Sequence, residues 1–176
     1  TSESVQRSGN YSLGMKVGQE WSQTSQDVKL NANDPAYAKV YIKTTFSSDS
    51  RATAGLMLQF MSDSGNILSE SIKGNEIGGN TGDWRLVEIN YKSAPSGTTK
   101  VRMSLYTWID YGDSSGYAYF DDVSLIKQYK QLSLGTTLIN PGFENGLDGW
   151  KDYGVPSVVL SSDIKNKGNY AAQKTI

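Results

Sequence analysis

VRMSLYTW, residues 101–108, decides how this chain folds. Val101, Met103 and Leu105 alternate with Arg102, Ser104, Tyr106 and Trp108. A strict period of two belongs to a strand with one face buried, so the odd positions face a core and the even ones face away. The same period recurs upstream. Val40, Ile42, Thr44 and Phe46 alternate with Tyr41, Lys43 and Thr45; Leu56, Leu58 and Phe60 alternate with Met57, Gln59 and Met61. Val87, Ile89 and Tyr91 alternate with Glu88 and Asn90. Turn-forming clusters separate these runs: NANDP (31–35), SSDSR (47–51), SDSG (62–65), GGNTGD (78–83), SAPSG (93–97) and YGDSSG (111–116). No helical stripe exceeds two turns. Many short strands at even spacing predict an all-β protein, a two-sheet antiparallel β-sandwich of the jelly-roll kind.

Composition narrows the chemistry. The 176 residues suit one domain or a little more, and the 37% apolar content is enough for a real core. There is no cysteine, which excludes a disulfide framework and thiolate zinc sites. There is no histidine, which removes the usual general base and imidazole metal sites. Any metal must then be a hard ion held by oxygen, and outside cells that is calcium. The formal net charge is −1 with no basic run, so neither nucleic acid nor an anionic membrane surface is expected as a partner. No apolar run approaches the roughly 20 residues of a membrane helix.

One repeat is visible. Ser8-Gly9-Asn10-Tyr11-Ser12-Leu13 is similar to Lys167-Gly168-Asn169-Tyr170-Ala171-Ala172, at an offset of 159 residues. That is a domain length, too long for a solenoid period. It predicts a tandem array of similar modules, cut out of phase from a longer chain. Residues 1–127 form a module lacking its opening strand, and 128–137 a linker. Residues 138–176 begin the next module or complete the same one, by permutation or by exchange with a second copy. Strands 9–17 and 168–176 are then expected to compete for one slot.

Four motifs carry a resemblance: NPGFENGLDGW (140–150), GNYSLGMKV (9–17), YAYFDDVSLIK (117–127) and GDWRLVEINYKSAP (82–95). Together they resemble the carbohydrate-binding modules of the family 4/9/16/22 group, appended to bacterial polysaccharide-degrading enzymes, though in permuted order. The resemblance implies a jelly roll with a structural calcium between opening and closing strands. On these positions Glu144 and one or both of Asp121 and Asp122 supply carboxylates, and Gly142 and Ser8 or Lys167 supply carbonyls. Adjacent Asp121 and Asp122 point to opposite faces of a strand unless a bulge intervenes. Asp122 is therefore the favoured ligand. The competing reading makes these carboxylates exposed strand ends or acceptors for N–H groups.

The resemblance also implies a sugar-binding face, where aromatic rings on the solvent side of a concave sheet stack on the apolar faces of sugars. Parity nominates Trp108 and Tyr106, and also Trp21 and Gln23, since Val28 and Leu30 set the even positions of their strand inward. Trp21 lies twelve residues after Gly9 and Trp108 fourteen before Asp122, spacings similar to those of binding aromatics in related modules. Gln59 and Tyr41 occupy the off-core parity of other strands. The competing reading has both tryptophans plugging loops or packing on a neighbouring domain. Trp84 and Trp150, each near a glycine at a strand entrance, are read as core.

Candidate acids for hydrolysis are Glu70, Glu76, Glu88, Asp110 and Asp113, none in a catalytic motif. No nucleotide-binding GxGxxG or GxxxxGK[ST] occurs. The expectation is a non-enzymatic, secreted or cell-surface bacterial module that binds β-linked glucan, mannan or xylan and targets an attached enzyme. The alternative is a structural or adhesive jelly-roll repeat with no sugar site.

Overall fold

A computed structural model describes residues 5, 7–9, 11–18, 20–47, 51–109, 115–127, 148–153, 158–161 and 171–174. Among these there is no helix. The strands are β1 (Leu13–Lys16), β2 (Trp21–Lys29), β3 (Ala36–Thr44), β4 (Ala52–Met61), β5 (Ile72–Lys73) and β6 (Ile77–Gly78). They continue with β7 (Arg85–Tyr91), β8 (Lys100–Ile109), β9 (Tyr117–Lys127), β10 (Lys151–Tyr153), β11 (Val158–Ser161) and β12 (Ala171–Lys174). One sheet runs β11-β12-β1-β9-β3-β7; the other runs β10-β2-β8-β4-β5, with β6 also on β4. Every pairing is antiparallel except β1 with β12. The chain is thus an all-β, two-sheet jelly-roll sandwich.

The core sits where the period of two placed it. Ala38, Val40 and Ile42 of β3 and Phe120 and Leu125 of β9 meet Leu56, Leu58 and Phe60 of β4 and Val101, Met103 and Leu105 of β8. Turn chemistry closes the strands. Asn33 adopts a left-handed φ of 65° in the β2–β3 turn, where the Asp34 carboxylate accepts the Asn31 N–H at 2.8 Å. Asparagine tolerates that region better than most residues.

Two expectations change. Trp150 is buried in the core, as expected. Trp84 is only half-buried. It precedes β7, the edge strand of its sheet, so one side of it lacks a neighbouring strand. The repeat copies do not compete for one slot. β12 lies beside β1 in parallel, with Gly14 opposite Gln173 and Met15 opposite Lys174. Both pairs are 159 residues apart, so repeat-equivalent positions face each other in register. β10 extends the second sheet from β2, where the Thr24 hydroxyl donates to the Lys151 carbonyl at 3.2 Å.

Candidate functional site

The outer face of the second sheet gathers most of the nominated residues. β2 runs unbroken against β8, and β8 against β4, so residues directly opposite share a face. Trp21 faces Trp108, which faces Thr53. The next row holds Gln23, Tyr106 and Gly55. Then follow Ser25, Ser104, Met57 and Lys73, and after them Asp27, Arg102 and Gln59.

The two tryptophans are neighbours with different settings. Trp108 is 36% exposed. Trp21 is half-buried and stacks on Tyr106, with ring centroids 4.5 Å apart and planes 13° from parallel. The Trp21 indole N–H donates to Gln23 Oε1 at 3.1 Å. Tyr106 itself is fully buried, which corrects its expected role as a possible stacking surface. Its ring lies across Gly55, where a Cβ would come within 2.5 Å of the phenol oxygen. A glycine inside a strand often marks such a close approach. The Tyr106 hydroxyl donates to Glu76 Oε1 at 2.6 Å. Burial, then the bond and charge of Glu76, hold that hydroxyl's pKa far above its ordinary value. Lys73 Nζ sits 5.3 Å from both ring centroids and 3.5 Å from Glu76. Sequence reasoning missed Lys73 and took Glu76 only as a candidate acid. The available signal was Gly55, a gap in an alternating strand.

Gln59 shares the face but lies six residues along β4 from Thr53, about 20 Å away at strand rise. Its amide donates to Ser71 Oγ at 2.9 Å. Beside it Arg102 grips Asp27 through two bonds of 2.7 and 3.0 Å, with Lys100 Nζ 3.8 Å away. Burial raises the Asp27 carboxyl, but Arg102, Lys100 and Lys151 outweigh it and hold the pKa below its ordinary value.

Tyr41 does not join this group. It belongs to β3, in the other sheet, and the Arg7 guanidinium lies 3.1 Å from its ring centroid. Parity tells which side of a strand a residue takes, not which sheet carries the strand.

Near Tyr41 three of the nominated residues, Ser8, Asp121 and Asp122, come together. The β3–β9 register shifts by one residue between Lys39 and Tyr41, and Asp122 takes a left-handed φ of 49°. This is a β-bulge, the device that lets both carboxylates of an adjacent pair serve one spot. Asp122 accepts from Ser8 Oγ and the Arg7 guanidinium. Asp121 is buried and accepts the Asp122 N–H at 2.6 Å and the Arg7 and Ser8 N–H groups at 3.4 Å. Burial pushes the Asp121 carboxyl up to about 8; repulsion from Asp122 adds to this, against the backbone N–H bonds and the charge of Arg7. Glu144, Gly142 and Lys167 lie outside the described residues. Among the described residues no group of three or more acidic side chains converges.

The fold and this face define a class: a jelly-roll sandwich that sets an indole pair on the outside of one sheet. No protein-family model matches the chain, and no curated protein does. Solved structures do. The enzymatically active domain of tailspike protein 4 from bacteriophage CBA120 is 13% identical, with a TM-score of 0.48, over 69% of this chain and 18% of that one. A family 61 carbohydrate-binding module solved with β-1,4-galactotriose is 16% identical, with a TM-score of 0.40, over 64% of this chain and 69% of that one. The N-terminal carbohydrate-binding and catalytic modules of a Clostridium thermocellum endo-1,4-β-D-xylanase, solved with xylohexaose, are 13% identical, with a TM-score of 0.42. That match covers 82% of this chain and 32% of the xylanase. The chain thus spans less than a third of the tailspike and of the xylanase.

Proposed function

We propose that this chain binds polysaccharide without cleaving it, on the outer face of the β10-β2-β8-β4-β5 sheet. The observation that carries the reading is the direct opposition of Trp21 and Trp108 on that face, with Trp108 open to solvent. Side by side near one end of β2 and β8, the two indoles form an aromatic pair that a ligand can cover. The flat apolar side of a pyranose fits that pair. Gln23 holds the Trp21 indole in plane, and hydroxyl-rich neighbours such as Thr53 can bond the sugar's edge.

Two acids spanning one glycosidic bond are what hydrolysis would require. Glu76 sits on the outer face of the second sheet, bound to Tyr106, and Glu88 lies opposite Lys39 in the first sheet, bound to Tyr37. Those two lie on different sheets; Glu70 is exposed ahead of β5, and Asp110 and Asp113 lie outside the described residues, so the binding role rests on the indole pair and not on the acids. In this reading the chain is a secreted or surface module of the family 4/9/16/22 type that holds an attached enzyme near β-linked glucan, mannan or xylan.

The bulge fits calcium. Two carboxylates and the Ser8 oxygens are hard donors, and Asp121, whose pKa burial raises, is a carboxyl that a cation would stabilise as carboxylate once the Arg7 guanidinium gives up Asp122. Asp121, Asp122 and Ser8 would hold the ion, with Glu144, Gly142 and Lys167 as further ligands. Calcium there supplies a rigid clamp rather than chemistry. Affinity electrophoresis through polysaccharide gels tests the whole reading. Trp108→Ala should abolish retardation while leaving the melting temperature within about 2 °C, as expected for an exposed residue. EGTA should lower that temperature by several degrees without removing the face. Wild-type chain unretarded by every polysaccharide would leave the structural or adhesive repeat as the better reading.

A further inference from the structure

This inference rests on the binding face just described and concerns the charge of its ligand. The outer parity of the second sheet carries five cations: Lys29, Lys73, Lys100, Arg102 and Lys151. Against them stand the carboxylates of Asp27, on the same parity, and Glu76, which reaches that face through Tyr106. The strands therefore hold a surplus of three positive charges on a chain whose formal net charge is −1. Including Asp63 at the nearby turn still leaves a surplus of two.

The surplus is organised. Arg102 and Lys100 both contact Asp27, and Lys151 is close enough to act on the same carboxylate. Three cations thus surround one anion. Beside them opens a cavity of about 450 Å³, lined by Asp27, Lys29, Asn31, Thr99 and Lys100 among others. The indole pair and this cluster lie on one face, separated by six residues along β2, or about 20 Å. An extended chain molecule can span both.

We propose that the face selects an acidic polysaccharide, a β-linked uronate, whose sugar rings stack on Trp108 and Trp21 and whose carboxylates meet the cluster of Lys100, Arg102, Lys151 and Lys29. A neutral glycan leaves the cationic surplus uncompensated; a uronate of the same backbone matches it.

Calorimetric titration with matched oligosaccharides tests this. The pairs are β-1,4-mannohexaose against β-1,4-hexamannuronate, and cellohexaose against β-1,4-hexaglucuronate. Each pair differs in charge at C6 and not in linkage. At about 20 mM salt one uronate should bind about tenfold tighter than its neutral partner, and the preference should largely vanish near 0.5 M salt, where screening is short-ranged. Lys29→Gln with Lys151→Gln removes two exposed charges and should weaken uronate binding roughly fivefold to twentyfold, with melting unchanged. Neutral sugars bound as tightly as uronates, with no salt dependence, overturn the charge selection and leave sugar binding standing. No binding to any of the four overturns the charge selection, while sugar binding itself falls only if every polysaccharide, xylan included, also fails to retard the chain.

Discussion

Gly55→Ala is the sharpest perturbation of the indole platform, because it adds one methyl and touches neither tryptophan. The new Cβ would stand 2.5 Å from the Tyr106 oxygen, 2.6 Å from Cζ and 2.9 Å from Cε1. Those are impossible contacts, so something must move. If the ring leaves, its bond to the Glu76 carboxylate is lost, about 1.5–3 kcal/mol, with the Trp21 stack, about 0.5–1.5 kcal/mol. If the ring stays, β4 must shift in mid-sheet, an overpacking of about 1–3 kcal/mol. The cheaper route sets the cost, so the variant loses about 1–3 kcal/mol. At this chain length 3 kcal/mol lowers the melting temperature by about 9 °C. Differential scanning calorimetry reads the shift, and Trp21 fluorescence reads the loss of its tyrosine support. A double-mutant cycle isolates the cause. In a Tyr106→Ala background the clash has no partner, so Gly55→Ala should cost almost nothing. A single variant melting within about 2 °C of wild type, or an equal penalty in both backgrounds, would refute the reasoning.

Two further outcomes follow from the packing. The Asp27 pKa is depressed on balance, so its pairing stabilises the fold above the ordinary value of 3.8 and that gain is lost as pH falls through the lower folded value. Asp27→Asn should therefore cost on the order of 1 kcal/mol at neutral pH, and the two unfolding curves should converge in strong acid; a gap that persists there would show the loss is not ionic. Trp150→Ala should destabilise by about 3–5 kcal/mol, because Trp150 is buried in the core beside β10. A near-wild-type melt would mean that residues 148–153 do not dock on this sandwich, and residues 138–176 would then be better read as the start of another module.

Much of the proposed face was legible from periodicity. Trp21, Gln23, Gln59, Tyr106 and Trp108 share one side because β2, β8 and β4 pair without a register break, so parity within each strand carries across the sheet. What parity could not carry was depth. Tyr106 lies on the outer side and is nevertheless buried, because Glu76 reaches it from thirty residues earlier and Gly55 leaves room beneath it. Nor could parity assign sheets, which is why Tyr41 falls beside Arg7 and not beside Trp21. The acidic pair shows a third limit. Whether Asp121 and Asp122 diverge or converge depends on a bulge fixed by the pairing with β3, a long-range fact absent from the local sequence.

The support beneath Trp21 also bears on how the face would work. Trp21 is held from below by Tyr106 and at its edge by Gln23, while Trp108 is the more exposed of the two. A ring already fixed in place loses little rotamer entropy when a ligand lands on it. Trp108 must lose more of its own freedom, and it offers more open surface in return. On the proposed function the two indoles would be unequal partners: Trp21 would set position, and Trp108 would supply most of the newly covered area. On that reading a buried tyrosine, a glycine and a glutamate, none of which a ligand could touch well, would support the site. They hold the one ring whose orientation the second ring and the cationic cluster are arranged around.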